Sequence, residues 1–482
     1  MQAPAIAPAI ASIAGDKPIV FNPALIERHC TPGPRYTSYP TADRFENSFG
    51  YRDYLQAVAS LRTRGSARAL SLYVHIPFCD TVGYTCACDQ IVTKNRDKAA
   101  VYLSFLKREI EMQGRLFAGM NQVEQLHFGG GTPTYLSDAQ MIELMLHLRR
   151  AFQFAPDEKG EYSIEIDPRT VSRERVLSLR RQGFNRISLG VHDYDAGVQQ
   201  AVNRIQSEAA TEVIIDAVRE AGFRSLCIDL IYGLPRQNLD TMAATMDQVI
   251  KANPDRIALY QYDYLPPLFK PQRRRVGAEL RGADLPCADL RLAMLALCIR
   301  TLSAAGYVHI GIDHFAKPGD DLAIAQVQGR LHCNFQGYST QPDMNLVACG
   351  VSAISSVAAT YSQNASTLDA YYDLLERNEL PIERGVRLTM DDILRRTIIQ
   401  MLMCQFEVSI PALEQAYPIA FADYFGPELK QLALLEADGL VTLEREWVTV
   451  TPAGRYLIRN VCMVFDRYLA LDAAGVPGPR TT

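Results

Sequence analysis

Ser71-Leu-Tyr-Val-His75-Ile-Pro-Phe-Cys79-Asp-Thr-Val-Gly83-Tyr-Thr-Cys86-Ala-Cys88 is the stretch whose reading decides the fold. Its apolar run, Leu72 to Ile76, reads as a strand and stops at Pro77, which has no N–H to continue a ladder. Cys79, Cys86 and Cys88 then fall within ten residues. Thiolates so close together suit soft iron or zinc, and describe reduced surface thiols equally well. A helix is predicted from about Lys98 to Phe117. A cysteine loop at the C-terminal end of a strand, opening into a helix, lies where α/β sheets place their ligands.

From Leu72 to about Thr360, short apolar strands alternate with amphipathic helices. Strands are predicted at Leu72–Ile76, Gln125–Phe128, Tyr162–Ile166, Arg186–Val191, Ser225–Leu230, Ile257–Tyr262 and Val308–Ile312. Helical periods separate most of them: Ala139–Phe152, Arg173–Gln182, Glu208–Ala221, Leu239–Ala252 and Ala288–Ala305. This alternation predicts a parallel sheet with right-handed crossovers, as an open sheet or a partial or full barrel. Before it, Phe45 to Arg62 reads as a helix and Met1 to about Asp16 as a disordered tail. After Pro381 come helices at Met390–Cys404, Ile410–Ala416 and Leu429–Leu435. A hairpin of Val441–Leu443 against Trp447–Val450 and a final helix over Arg455–Leu469 complete a winged-helix-like unit.

The 482 residues are 48% hydrophobic and 21% charged, which is ordinary for a globular protein of two or three domains. A net charge of −5 gives no electrostatic case for nucleic acid or an anionic membrane. No apolar run approaches the ~20 residues of a membrane span. The N-terminus lacks the basic region of a signal peptide. Most of the eleven cysteines stand singly in apolar contexts, which fits thiols in a reducing cytoplasm better than a disulfide framework.

Several strand ends carry chemistry. Gly129-Gly130-Gly131-Thr132-Pro133 follows a strand, where missing Cβ atoms let backbone approach a ligand or simply make a tight turn. Glu165 and Asp167 stand two apart, on one face of a strand, and Asp167 before Pro168 can equally cap a turn. Asp229 lies inside an apolar strand, which costs several kcal/mol unless the carboxylate is paired or hydrogen-bonded. Asp313-His314 follows a strand, and acid–imidazole pairs can shuttle protons, although a lone histidine also serves structure. Arg204 can hold a carboxylate with two donors or join a surface salt bridge.

Taken in order, these residues resemble the oxygen-independent coproporphyrinogen III oxidases of the radical S-adenosylmethionine (radical SAM) enzymes, from about Arg35 to Leu471. That family reads Tyr-Val-His-Ile-Pro-Phe-Cys, then CxxxCxxC, then one more cysteine. Cys79 matches the first cluster ligand, Cys86 the third and Cys88 the extra cysteine. Gly83 stands where the second ligand belongs. Thr85, Ala87, Asp89, His192, Asp263 and Cys333 also depart from the family pattern.

The resemblance implies a partial (β/α)6 barrel over residues 71–370, an N-terminal segment over 17–70 that covers the site, and a mostly helical, winged-helix-like domain over 371–482. It implies a 4Fe-4S cluster on Cys79, Cys86 and Cys88, weak, labile or absent because of Gly83. It further implies two molecules of S-adenosyl-L-methionine, held by Tyr73, Thr85, Gly130, Gly131, Thr132, Glu165, His192, Arg204, Asp229, Asp263 and Ile354, the last at a helix start. Tyr73 and His314 are the expected catalytic residues. The implied reaction is oxidative decarboxylation of coproporphyrinogen III to protoporphyrinogen IX without oxygen, in haem biosynthesis. Its expected setting is a cytoplasmic monomer, reduced by a flavodoxin- or ferredoxin-type donor, with neither nucleic acid nor membrane as partner. The alternative is a porphyrin- or haem-binding protein without radical chemistry.

Overall fold

The computed structural model describes residues 23–29, 33–63, 69–81, 83–84, 90–120, 122–264, 272, 274–275, 278–279, 284–341 and 344–473. The expected tail at Met1–Asp16 lies outside them, as do Thr85, Cys86 and Cys88.

Six strands follow one another in parallel: β1 (Leu70–Ile76), β2 (Val123–Gly130), β3 (Glu161–Ile166), β4 (Arg186–His192), β5 (Ser225–Tyr232) and β6 (Arg256–Gln261). The helices between them include α1 (Asp97–Phe117), α2 (Asp138–Ala151), α3 (Arg173–Arg181), α4 (Glu208–Glu220) and α5 (Leu239–Ala252). Their starts are written locally. Ser137 with Gln140 and Asn238 with Thr241 form capping boxes, and Ser172 and Ser207 accept from the first-turn amides of α3 and α4.

Each strand splits its faces. On β3, Tyr162, Ile164 and Ile166 are buried against the helices while Ser163 and Glu165 look the other way. The outward faces join one large core with Leu72, Val74, Leu126, Phe128, Ile187 and Leu189. Removing this apolar surface from water, at about 25 cal/mol per Å², is the main term holding the layers together.

Past β6 the sheet departs from the expected repeat. The strand at Val308–Gly311 was expected in the parallel series; it is β7, antiparallel to β8 (His314–Ala316), which is itself antiparallel to β6. On the other side, β9 (Asn345–Cys349) is parallel to β1, and β10 (Ile354–Val357), β11 (Thr360–Asn364) and β12 (Ile382–Arg387) continue antiparallel. The twelve-stranded order is β7-β8-β6-β5-β4-β3-β2-β1-β9-β10-β11-β12. Ile354 therefore opens a strand and not the expected helix: the turn before it uses Gly350 at φ +116 and Ser352 at φ +57, which steer the chain back along β9.

A second core gathers the C-terminal unit and the N-terminal segment. It packs Tyr36, Tyr39 and Phe45 with helix α6 (Met390–Gln405) and the three-stranded sheet of Glu407–Ser409, Trp447–Val450 and Val441–Leu443. The expected final helix is broken into a 3-10 turn, Gly454–Leu457, then α7 (Ile458–Met463) and a last helix Arg467–Ala473. The N-terminal helix starts at Tyr51 and not at Phe45, whose ring is buried and stacks on Tyr361.

Behind β1 lies a fully buried carboxylate. Glu109 on α1 accepts from Gly350 N at 2.8 Å, Tyr371 Oη at 2.6 Å and Asn364 Nδ2 at 2.7 Å. Tyr102 donates to the carbonyl of His75 at 2.8 Å. Together these bonds tie the end of β1 to the turn before Ile354. Glu109→Gln turns one acceptor oxygen into a donor facing donors. It is expected to cost about 2 kcal/mol of stability, read as a lower denaturation midpoint.

Candidate active site

The inner face of the parallel strands carries a polar band. Pairing sets Tyr73 beside His127 and His127 beside Ser163; one step further along, Glu165 pairs with Ser188, and Gly190 with Asp229. At the carboxyl ends Glu165, Ser188, Gly190 and Asp229 border a cavity of about 520 Å³. Its wall includes Cys79, Gly83, Gly130, Gly131, Thr132, Glu165, His192, Arg204, Asp229 and Asp263. Ten of the sequence-derived positions thus converge on one space, within the roughly 300–1,000 Å³ typical of cofactor sites.

The cysteine loop is pinned at its base. Phe78 and Cys79 pair in parallel with Ile91 and Val92, and Ile91 N donates to Pro77 O at 2.8 Å. Near its middle, Tyr84 N donates to Val202 O at 3.2 Å, and Tyr262 Oη to Tyr84 O at 3.0 Å. Among the described residues, this loop gives the cavity one thiol, Cys79, and a position without a donor, Gly83. For an iron–sulfur cluster the described donor set is therefore partial.

The glycine turn serves the loop as well as the cavity. A Cβ on Gly131 would stand 2.7 Å from the carbonyl oxygens of Pro77 and Phe78, and one on Gly130 2.7 Å from that of Ile76. Gly131 N and Thr132 N donate to Ile76 O and Phe78 O, both at 2.9 Å. These two amides are already used within the chain, so what the turn offers a ligand is chiefly carbonyl oxygen.

Sequence reasoning missed His127, which organises one wall. Its Nδ1 lies 2.6 Å from Ser163 Oγ and its Nε2 3.1 Å from Glu165 Oε1, while its ring stacks on Tyr73 with centroids 5.8 Å apart. Tyr73 Oη in turn meets His75 Nδ1 at 3.0 Å. The available signal was His127 standing between Leu126 and Phe128 on the polar face of a strand. Asp229 accepts from Ser188 Oγ at 2.7 Å, and burial pushes its carboxyl up to about 6.

Arg204 is held by Asp167 at 3.3 Å through Nη1 and donates to Gly190 O at 2.5 Å through Nη2. Its buried Nε has no protein partner among the described residues. A buried guanidinium N–H without an acceptor is costly, and a bound acceptor answers it. Gly190 makes the approach feasible, since a Cβ there would be 3.0 Å from Nη2. His192 follows at φ +69, strained for a side chain bearing a Cβ, and burial keeps its imidazole neutral, well below the usual range. The cavity, the unpaired donor and the two carboxylates fit a ligand with hydroxyl, ammonium and acceptor groups, as S-adenosylmethionine has.

Among the described residues, three sequence-derived ones are not on the cavity wall: Tyr73 stands one layer back, stacked on His127, and His314 and Ile354 lie further off. His314 does not line the cavity; it lies behind Tyr260, edge-on to that ring and to Tyr338 at 6.0 and 5.2 Å. Burial, with Arg256, drives its imidazole down to about 4. Asp313, expected as its partner in proton transfer, bonds instead to Arg459 at 3.1 Å. Ile354 is absent from the wall and packs against the second core.

Residues 73–249 match the Radical SAM superfamily and residues 388–457 the HemN C-terminal domain. The oxygen-independent coproporphyrinogen III oxidase of Pseudomonas aeruginosa is 47% identical over 451 residues, 94% of this chain and 96% of that one. The chain belongs to the oxygen-independent coproporphyrinogen III oxidases. The Escherichia coli oxidase of the same name is also 47% identical, across 94% of this chain and 97% of its own. The solved structure of the E. coli coproporphyrinogen III oxidase (HemN), described as a radical SAM enzyme, superposes with a TM-score of 0.88 at 46% identity, over 93% of this chain and 99% of that one. The comparisons support the enzyme over the porphyrin-binding alternative. Radical SAM oxidases of this kind use a 4Fe-4S cluster and S-adenosylmethionine, and no described helix here is long and apolar enough to cross a membrane.

Proposed function

We propose that this chain converts coproporphyrinogen III to protoporphyrinogen IX without oxygen, turning two propionate side chains into vinyl groups with loss of two molecules of carbon dioxide. The observation that carries the reading is the convergence of Cys79, the Gly130–Thr132 turn, Glu165, Arg204 and Asp229 on one cavity. Cys79, Cys86 and Cys88 would hold the cluster, weakly because Gly83 supplies no thiolate. When bound, the cluster and S-adenosylmethionine supply the one-electron chemistry that removes a β-hydrogen from a propionate before carbon dioxide and a further electron depart.

The chain's own residues bind and orient. Glu165, fixed by His127, and the carbonyls of the glycine turn accept from an ammonium. Asp229 accepts from ribose hydroxyls, and the unpartnered Arg204 Nε–H is left for a bound acceptor. Tyr73 holds the Glu165–His127 pair in place by stacking, and His192, Thr85 and Asp263 complete the reading for one or two cofactor molecules, without Ile354, which packs in the second core. Any part His314 has in the reaction is indirect: neutral at physiological pH, it packs edge-on against Tyr260, which lines the cavity, and does not act as an acid. The division near residues 70 and 370, a flavodoxin- or ferredoxin-type donor, action as a monomer and a cytoplasmic setting belong to the same proposal.

Asp229 gives this reading a pH signature. Its raised carboxyl is ionised at pH 8 and takes up a proton as pH falls through about 6, losing its charge and part of its capacity to accept from hydroxyls. Affinity for S-adenosylhomocysteine is expected to fall several-fold between pH 8 and pH 5 in the native chain. Asp229→Asn should bind about tenfold more weakly at pH 8 and lose that dependence, as read by calorimetry. The reaction itself is tested by anaerobic incubation of the reconstituted chain with reductant, S-adenosylmethionine and coproporphyrinogen III. Mass loss corresponding to two decarboxylations supports the assignment. Unchanged tetrapyrrole from both the native chain and Gly83→Cys contradicts it.

A further inference from the structure

Two arginine–aspartate pairs stand close together where the N-terminal segment, the barrel and the C-terminal unit meet. Arg35 Nη2 lies 2.7 Å from Asp263 Oδ2, and both residues border the cavity. Arg459 on α7 lies 3.1 Å from Asp313 in the turn between β7 and β8. Arg35 and Arg459 both act on Asp313, opposing the upward pull of its burial. Tyr36, next to Arg35, is buried and donates to Asp466 at 3.0 Å, so the backbone is anchored immediately beyond the arginine.

Burial separates the two pairs. Arg35 and Asp263 are 44% and 52% exposed, which puts their contact at the rim of the cavity and its net worth at about 0–1 kcal/mol. Asp313 is only 15% exposed, and stripping it of Arg459 would strand a largely buried charge. The Arg459–Asp313 pair is therefore fixed. The Arg35–Asp263 pair can open at almost no cost, and it places a planar two-donor cation on a tethered backbone at the entrance. A carboxylate is the ligand such a fork fits.

We propose that Arg35 receives a propionate carboxylate of the tetrapyrrole substrate, with Asp263 as its resting counter-ion, displaced as the substrate enters. This rests on the reading of the cavity given above. Asp263 keeps the arginine positioned at the rim in the empty site. It also competes with the substrate, so its removal strengthens binding.

The test is titration of the full-length chain with coproporphyrin III, the oxidised tetracarboxylate that needs neither cluster nor turnover, followed by quenching of porphyrin fluorescence at low salt. Arg35→Gln is expected to raise Kd about tenfold and Arg35→Lys by less, because a point charge replaces the fork. Asp263→Asn is expected to lower Kd several-fold. Opposite signs from the two halves of one ion pair support the exchange. Loss of affinity in both variants, the result for a clasp that merely holds the segment down, overturns it, as does no change in either. Absence of binding by the native chain overturns the reading of the cavity as well, and so differs from failure of the exchange alone. A gain of affinity in Asp263→Asn counts only at an unchanged denaturation midpoint, since exposed apolar surface would also take up porphyrin.

Discussion

Gly83→Cys is expected to raise the iron and sulfide retained after anaerobic reconstitution several-fold over the native chain. Iron–sulfur clusters are held by cysteine thiolates, and the loop as it stands offers Cys79, Cys86 and Cys88. The first lies four residues before Gly83, and the last two are separated by one residue. Position 83 is already on the cavity wall, and its neighbour Tyr84 is tied by Val202 O and Tyr262 Oη. A thiolate there sits next to the tethered Tyr84 backbone and loses little conformational entropy on binding. Gly83→Ser, with an oxygen that iron–sulfur chemistry does not favour, should leave iron content unchanged. Equal iron and sulfide in the native chain and Gly83→Cys would show that the remaining cysteines suffice.

Arg204→Met is expected to destabilise the fold by about 3 kcal/mol, the lower end for breaking a buried ion pair. The lower end applies because Asp167 keeps Arg169, which bonds it at 2.7 Å through Nη2 and again through Nε. What cannot be replaced is the donor to Gly190 O and the buried Nε–H. Affinity for S-adenosylhomocysteine should fall together with stability. Arg204→Lys keeps the charge but has one compact head for three directions, and should recover part of the stability and little of the affinity. An unchanged denaturation midpoint in Arg204→Met would mean that Asp167 and Arg169 alone hold this wall.

The parallel strands and their helices were legible because each carries its own signal. Tyr162, Ile164 and Ile166 alternate with polar residues, and Ser137, Ser172, Ser207 and Asn238 mark helix starts. Asn345–Cys349 was not read as a strand: all five residues are buried, so no two-residue period shows. Ile354 was read as a helix start because the left-handed Ser352 that turns the chain into β10 leaves no trace in residue type. At the site, strand order made Glu165 and Asp229 visible as acids at strand ends. The partners that orient them were not visible, because His127 reaches Glu165, and Ser188 reaches Asp229, only across neighbouring strands. The pairing of Arg35 with Asp263 joins the N-terminal segment to the end of β6, a juxtaposition that no local pattern encodes.

The most direct measurement of the central assignment uses coproporphyrinogen III deuterated at the propionate β-carbons, incubated anaerobically with the reconstituted chain, reductant and S-adenosylmethionine. The account predicts 5′-deoxyadenosine carrying deuterium, sparse from the native sequence and abundant from Gly83→Cys. Deuterium-free 5′-deoxyadenosine from the chain with a full cluster, or none at all, would contradict it.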